Sequence, residues 1–372
     1  MQIPPFELER YFAKYEFSSP YLLSCSDCEP LSMKELLSLG DRETLGLWET
    51  LTLGYTESQG HPLLREEIAK LYTEIRAENI ITAVPEECIF IAMNTILEPG
   101  DHVVSVFPGY QSLYQLAETI GCEVSLWKPA EEETWRFRME DLERLLKPST
   151  KLIVINFPHN PTGALITGEE LRQIVAAAEK RRGYVFSDEM YRFLEYDEKD
   201  RLPTASDLSA NAVSLSGMSK SFSLAGLRIG WLSTQDTALI SQFSSFKDYT
   251  TICSSAPGEV LAIMGLRARD AILSRNLGII RENLRLLSGF SAEHSEILKW
   301  TSSKAGPIGL GRLKKEINAD DFCLDLQKKK GAMLLPSAAY GFGRKHFRLG
   351  FGRRAFPEAL SKLSEYLSSL NS

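Results

Sequence analysis

Between residues 62 and 216 the chain alternates between two hydrophobic rhythms. Residues 62–77 (PLLREEIAKLYTEIRA) carry apolar side chains three and four apart, the spacing of one helix face. Residues 87–97 are apolar with few polar breaks, and Pro99-Gly100-Asp101 stops them. Residues 102–107 (HVVSVF) then read as a buried strand. Beyond them the pattern predicts a helix over 111–120, an extended segment over 123–127 and a helix near 139–146. A strand at 151–157 (KLIVINF), a helix at 168–182 and strands at 184–187 and 212–216 follow. Strands alternating with helices imply an α/β fold, a mostly parallel sheet with helices on both faces. Ligands of such sheets sit beyond the carboxyl ends of the strands. Residues 257–287 read as one long amphipathic helix. Residues 307–351 mix short strands with helices, and a helix near 357–370 closes the chain. The pattern therefore predicts a large domain over 46–284. It also predicts a smaller α+β domain from 1–45 and 285–372, since the first 45 residues lack the βα rhythm.

Composition narrows the field. With 372 residues, 44% hydrophobic and 24% charged, the chain reads as soluble and globular, large enough for two domains. A net charge of -7 argues against a nucleic-acid partner, which needs a basic face. The N-terminus has neither a basic leader nor an apolar run, and no window approaches the roughly 18 apolar residues of a membrane span. The expected location is the cytoplasm. Six cysteines fit free thiols in a reducing compartment. Cys25 and Cys28 form a C-x-x-C without the second ligand pair of a zinc site or the βαβ setting of a redox pair, so no metal is expected.

Three polar motifs fall just after apolar strands. The first runs from Ser216 to Trp231 (SGMSKSFSLAGLRIGW). An imine-forming lysine needs a neutral amine in a confined site. A phosphate needs small residues, hydroxyl donors and a forked cation. Lys220, Ser219 and Arg228 meet both needs, although a solvated lysine beside a surface arginine would read the same way. The second motif, Asn160-Pro161-Thr162-Gly163, is also an ordinary turn sequence. In the third, Asp188-Glu189-Met190-Tyr191, the aspartate could equally cap a helix.

Taken in order, N-P-x-G, D-x-x-Y, S-K and R-x-G make the chain resemble the fold-type I, class I/II aminotransferases that use pyridoxal phosphate (PLP), from about Phe6 to Leu370. The resemblance implies a large PLP-binding domain, a smaller α+β domain and a homodimer with shared active sites. It implies that Lys220 holds the cofactor as an imine and shuttles a proton, and that Asp188 pairs with the pyridinium nitrogen. It implies that Asn160 and Tyr191 bind the cofactor's 3′ oxygen, that Tyr110 stacks on its ring and that Ser219 and Arg228 hold its phosphate. Tyr55 matches a tyrosine that reaches the phosphate from a partner subunit. Arg348 matches the arginine that grips the substrate α-carboxylate, with Asn160 beside it. Tyr55 and Tyr110 could also be plain core residues.

The chain departs from the family at its phosphate loop, Thr82-Ala83-Val84-Pro85-Glu86-Glu87-Cys88. Pro85 has no N–H to donate. The backbone groups of Glu86 and Glu87 can still donate to a phosphate, with both side chains expected to turn outward. Gly217 and Ser337 also replace the usual residues. The expected activity is amino-group transfer between an α-amino acid and a 2-oxo acid. The alternative is another reaction of the same cofactor, by a cyclising synthase of the capreomycidine-synthase type, a C–S lyase or a decarboxylase. A DNA-binding regulator of this fold is not expected, because the sequence shows no segment for the extra domain. Asp27, in Ser24-Cys25-Ser26-Asp27-Cys28, is read either as facing a cationic substrate side chain or as a helix cap or solvated group.

Overall fold

A computed structural model of the chain describes residues 2–314 and 316–370. A short strand β1 (Tyr21–Leu22) opens the sheet structure. The main sheet has seven strands: β2 (Ile80–Ala83), β3 (His102–Val106), β4 (Glu123–Trp127), β5 (Thr150–Asn156), β6 (Tyr184–Asp188), β7 (Ala212–Gly217) and β8 (Gly230–Ser233). Their spatial order is β2-β8-β7-β6-β5-β3-β4. From β4 to β7 all neighbours are parallel, and β8 runs antiparallel to both β7 and β2.

Alternate residues of each strand serve opposite faces. Val103, Leu152, Val154 and Phe186 pack with the helices Pro85–Ile96 and Ser112–Ile120. Val104, Ile153, Ile155 and Val185 pack against the helix Gly168–Glu179. Covering on both faces explains the nearly unbroken apolar runs in the sequence.

The second sheet contains β9 (Leu298–Trp300), β10 (Ile308–Leu313), β12 (Leu335–Pro336) and β13 (His346–Gly350), in the order β12-β13-β10-β9. β11 (Ala332–Met333) pairs in parallel with β1, which ties the N-terminal segment to this side. Leu23 and Cys28 enter the core of this side, and so do Ile280 and Leu287. The segment from Leu31 to Leu45, expected with the smaller unit, packs instead against Leu64, Met218 and Leu261 beside the main sheet.

Tertiary contacts changed several expected elements. Strands β2 and β8 were not expected, because Ile80–Ala83 and Gly230–Ser233 are each only four residues long. The helix expected over 62–77 stops at Ala69. Beyond it, the Asp207 carboxylate takes the backbone N–H groups of Thr73 and Glu74, at 3.0 and 2.9 Å, which a longer helix would have used internally. The long helix expected over 257–287 is two helices, Ala256–Arg267 and Arg269–Glu293, broken at Ala268. Arg267 is held there by the carboxylates of Glu67, Asp41 and Glu43.

Candidate active site

A cavity of about 290 Å³ opens beyond the carboxyl ends of β5, β6 and β7. Each strand delivers its motif residue into that space: Asn156 and Asn160 after β5, Asp188 and Tyr191 at the end of β6, Ser219 and Lys220 after β7. The helix Pro85–Ile96 starts at the cavity, and β13 brings in Arg348 from the second sheet. The segment around Cys25, Ser26 and Asp27 and the helix Glu7–Tyr15 close the remaining side.

Asp188 is buried and accepts a hydrogen bond from the Met190 N–H at 3.1 Å. Burial pushes its carboxyl up to about 7, against the opposing pull of that N–H and of Lys220. Its carbonyl oxygen accepts from Asn156 Nδ2 at 3.0 Å, and Asn156 Oδ1 accepts from the Asn160 N–H at 2.8 Å. The motifs of β5 and β6 are thereby locked together. Lys220 Nζ donates to Ser26 Oγ at 2.7 Å. Burial lowers the pKa of its ammonium. Asp27 opposes that shift, and Arg348 adds to it. The Tyr191 hydroxyl donates to the Ser26 carbonyl at 2.7 Å, so one residue of the N-terminal segment meets both motif side chains.

Arg348 is 1% exposed, and its hydrogen bonds all go to neutral oxygens. Nη2 donates to the Ser24 carbonyl at 2.7 Å, and Nη1 donates to the Tyr340 hydroxyl and to Asn160 Oδ1, the latter at 3.4 Å. Its Nε has no hydrogen-bond partner. A buried guanidinium without a carboxylate is poised for an anion from outside the protein. Ser219 presents a buried hydroxyl that also lacks a partner. Arg228 stands at the exposed rim in a left-handed conformation, φ 58°, after the turn that follows Lys220. Tyr110 lines the cavity, its ring edge-on to Phe6 and its hydroxyl donating to Glu9 Oε1 at 3.2 Å.

Two expectations are corrected. Glu86 does not turn outward: its carboxyl lines the cavity and accepts from Ser112 Oγ, and burial pushes its pKa up. Pro85 occupies the first turn of its helix, which leaves the Glu86 side chain facing the site. Glu87 does turn away, accepting from the Thr250 and Thr251 hydroxyls and the Val84 N–H. Asp27 does not cap a helix: it lines the cavity, partly exposed, beside Arg353. Both of its carboxylate oxygens accept from the single Nη2 of Arg353, at 2.9 Å, while Ser32 caps the next helix. Gly217, which replaces a common phosphate ligand, has a packing reason. A side chain there would lie 3.0 Å from the Cα of Gly230, its partner across the β7–β8 ladder.

Tyr55 lies outside the cavity, 91% exposed. Sequence reasoning missed Leu8, Glu9, Phe12 and Glu16, which line the site, and Tyr340, which holds Arg348. The first group lies on and just after the helix Glu7–Tyr15, which was not read from the sequence.

These features match a known family. The sequence profile of the class I and II aminotransferases matches residues 49–358, and the chain belongs to that family. It is 28% identical over 327 residues to an aspartate aminotransferase of Thermotoga maritima, covering 85% of this chain and 84% of that one. It is 26% identical over 286 residues to a capreomycidine synthase of Streptomyces vinaceus, covering 76% and 72%. Its fold superposes on a PLP-dependent aminotransferase from Streptococcus suis with a TM-score of 0.93, at 29% identity over 99% of both chains. The protein is a PLP-dependent aminotransferase of fold type I. The cavity suits that cofactor: a lysine amine, a buried carboxyl, an unpartnered hydroxyl and a forked cation border the same space.

Proposed function

We propose that this cavity transfers an amino group between an α-amino acid and a 2-oxo acid, with Lys220 and Asp188 as its catalytic residues. The reading is carried by one juxtaposition: the Lys220 amine, the Asp188 carboxyl and the anion-seeking Arg348 open on one cavity. PLP supplies an electron sink for the bonds at the amino acid's Cα when its ring nitrogen is protonated. Asp188 keeps that nitrogen protonated. Lys220 would anchor the cofactor, and its amine would move the proton at the substrate Cα. Its lowered pKa favours the neutral amine this task needs. Arg348 and Asn160 seat the α-carboxylate. Ser219, Arg228 and the backbone at Glu86 and Glu87 hold the phosphate, Tyr110 covers the ring, and Tyr191 with Asn160 holds the 3′ oxygen. The N-terminal helix keeps water out.

We take 46–284 as the large domain and 1–45 with 285–372 as the small one, with Leu31–Leu45 lying against the former. Lys220 and Arg348 then belong to different domains, so the substrate bridges them. We also propose a cytoplasmic homodimer in which Tyr55 reaches the partner's phosphate site. Thr56 Oγ1 donates to the Ser254 carbonyl and Lys247 Nζ to that of Ser58, so the two loops that carry the exposed Leu53, Tyr55, Tyr249 and Ile252 are held together.

The test mixes PLP-loaded protein with single amino acids and measures the 2-oxo acid released. Stoichiometric oxo acid and the amine form of the cofactor support transfer. A cyclised product that keeps its nitrogen would instead favour the second reading, which the likeness to capreomycidine synthase motivates.

A further inference from the structure

The charges bordering the cavity can be assigned one by one. Asp188 and Lys220 serve the cofactor, and Arg348 awaits an α-carboxylate. Asp27 is paired with Arg353 at 2.9 Å. Glu86 accepts a hydrogen bond from the Ser112 hydroxyl, and burial raises its pKa. Glu9 and Glu16 remain. Among the described residues Glu9 accepts only from the Tyr110 hydroxyl, and Glu16 has no hydrogen-bond or ion-pair partner. Both line the cavity, as does Phe12, whose ring centre lies 5.6 Å from the Arg348 guanidinium carbon. Residues 9, 12 and 16 share one face of the N-terminal helix and the turn that continues it. Each glutamate is thus about one helical turn, roughly 5 Å, from the ring beside Arg348. That is the span of an extended amino-acid side chain. Burial raises the pKa of Glu16, the nearby charges of Asp27 and Glu9 raise it further, and Arg353 and Lys220 oppose them. An added cation would relieve that repulsion, and a carboxylate would worsen it.

We infer that Glu9 and Glu16 select amino acids with a cationic side chain, of the ornithine, lysine or arginine kind, over neutral and acidic ones. Arg348 holds the α-carboxylate, Phe12 lines the aliphatic stem, and the glutamates receive the charged end. The inference rests on the aminotransferase reading of this cavity.

The test is a spectral titration of the PLP-loaded enzyme with ornithine, lysine, norleucine and glutamate, followed by single-turnover rates of oxo-acid release. Wild type should bind lysine or ornithine roughly tenfold or more tighter than norleucine, the strength of a charge-assisted hydrogen bond. In the Glu9→Gln, Glu16→Gln double variant that ratio should fall towards one, with each single variant between. Glu16→Lys should move preference towards glutamate. Wild type favouring norleucine or glutamate, or a ratio that survives in the double variant, overturns the inference. If no amino acid yields an oxo acid, the reaction reading fails, while the titration still decides the selectivity.

Discussion

Burial acts on Asp188 and Lys220 in opposite directions, raising the pKa of one and lowering that of the other. Both shifts favour neutral groups in the protein without cofactor. The Asp188 carboxyl goes from 3.8 to about 7, so between those values the folded protein holds a proton that the unfolded chain has lost. Stability from this group therefore falls as pH rises from about 4 to about 7. In protein stripped of PLP, Asp188→Asn should flatten that part of the pH profile of Tm. In loaded protein the same variant should keep the cofactor but lose roughly a hundredfold or more in kcat, because an amide cannot hold the ring nitrogen's charge. A kcat near wild type would remove Asp188 from the mechanism. Lys220→Ala should abolish borohydride fixation of PLP to the chain, read by mass. Arg348→Lys keeps the charge but loses the planar fork, so KM for the amino acid should rise roughly tenfold or more.

At the scale of elements, the site depends on close backbone approaches that admit no side chain. Gly350 ends β13 two residues after Arg348, and a Cβ there would stand 1.9 Å from the Cys25 carbonyl oxygen. Gly350→Ala must push away the segment that carries Ser24 and Ser26, and with it the partners of Arg348 and Lys220. The expected result is a loss of about 1–3 kcal/mol in stability with a raised KM, read by thermal melts and amino-acid titration. Gly217 and Gly230 play the same part between β7 and β8, where they hold the antiparallel strand against the one that delivers Lys220.

For the whole molecule, the exposed surface of Leu53, Tyr55, Tyr249 and Ile252 is the proposed face between subunits. A Leu53→Asp, Tyr249→Asp double variant should sediment as a monomer and bind PLP more weakly, since Tyr55 could no longer reach a partner's site. A variant that stays dimeric would place the interface elsewhere.

The parallel core and the order of the cofactor motifs were legible in the sequence. Each motif sits directly after an apolar strand, and a parallel sheet puts those strand ends side by side. Lys220, Asp188 and Asn160 could thus be expected around one cavity before any contact was known, and they line one. Contacts between distant segments were not legible. The Asp27–Arg353 pair joins residues 326 positions apart, and nothing local announces it. The inward turn of Glu86 depends on Ser112 from the next helix. The helix that carries Glu9 and Phe12 was not read from the sequence at all, and only the folded chain set its face, with Glu16, against the cavity. Periodicity records which residues share a surface, because backbone geometry sets it locally. What that surface meets is decided by packing across the whole chain.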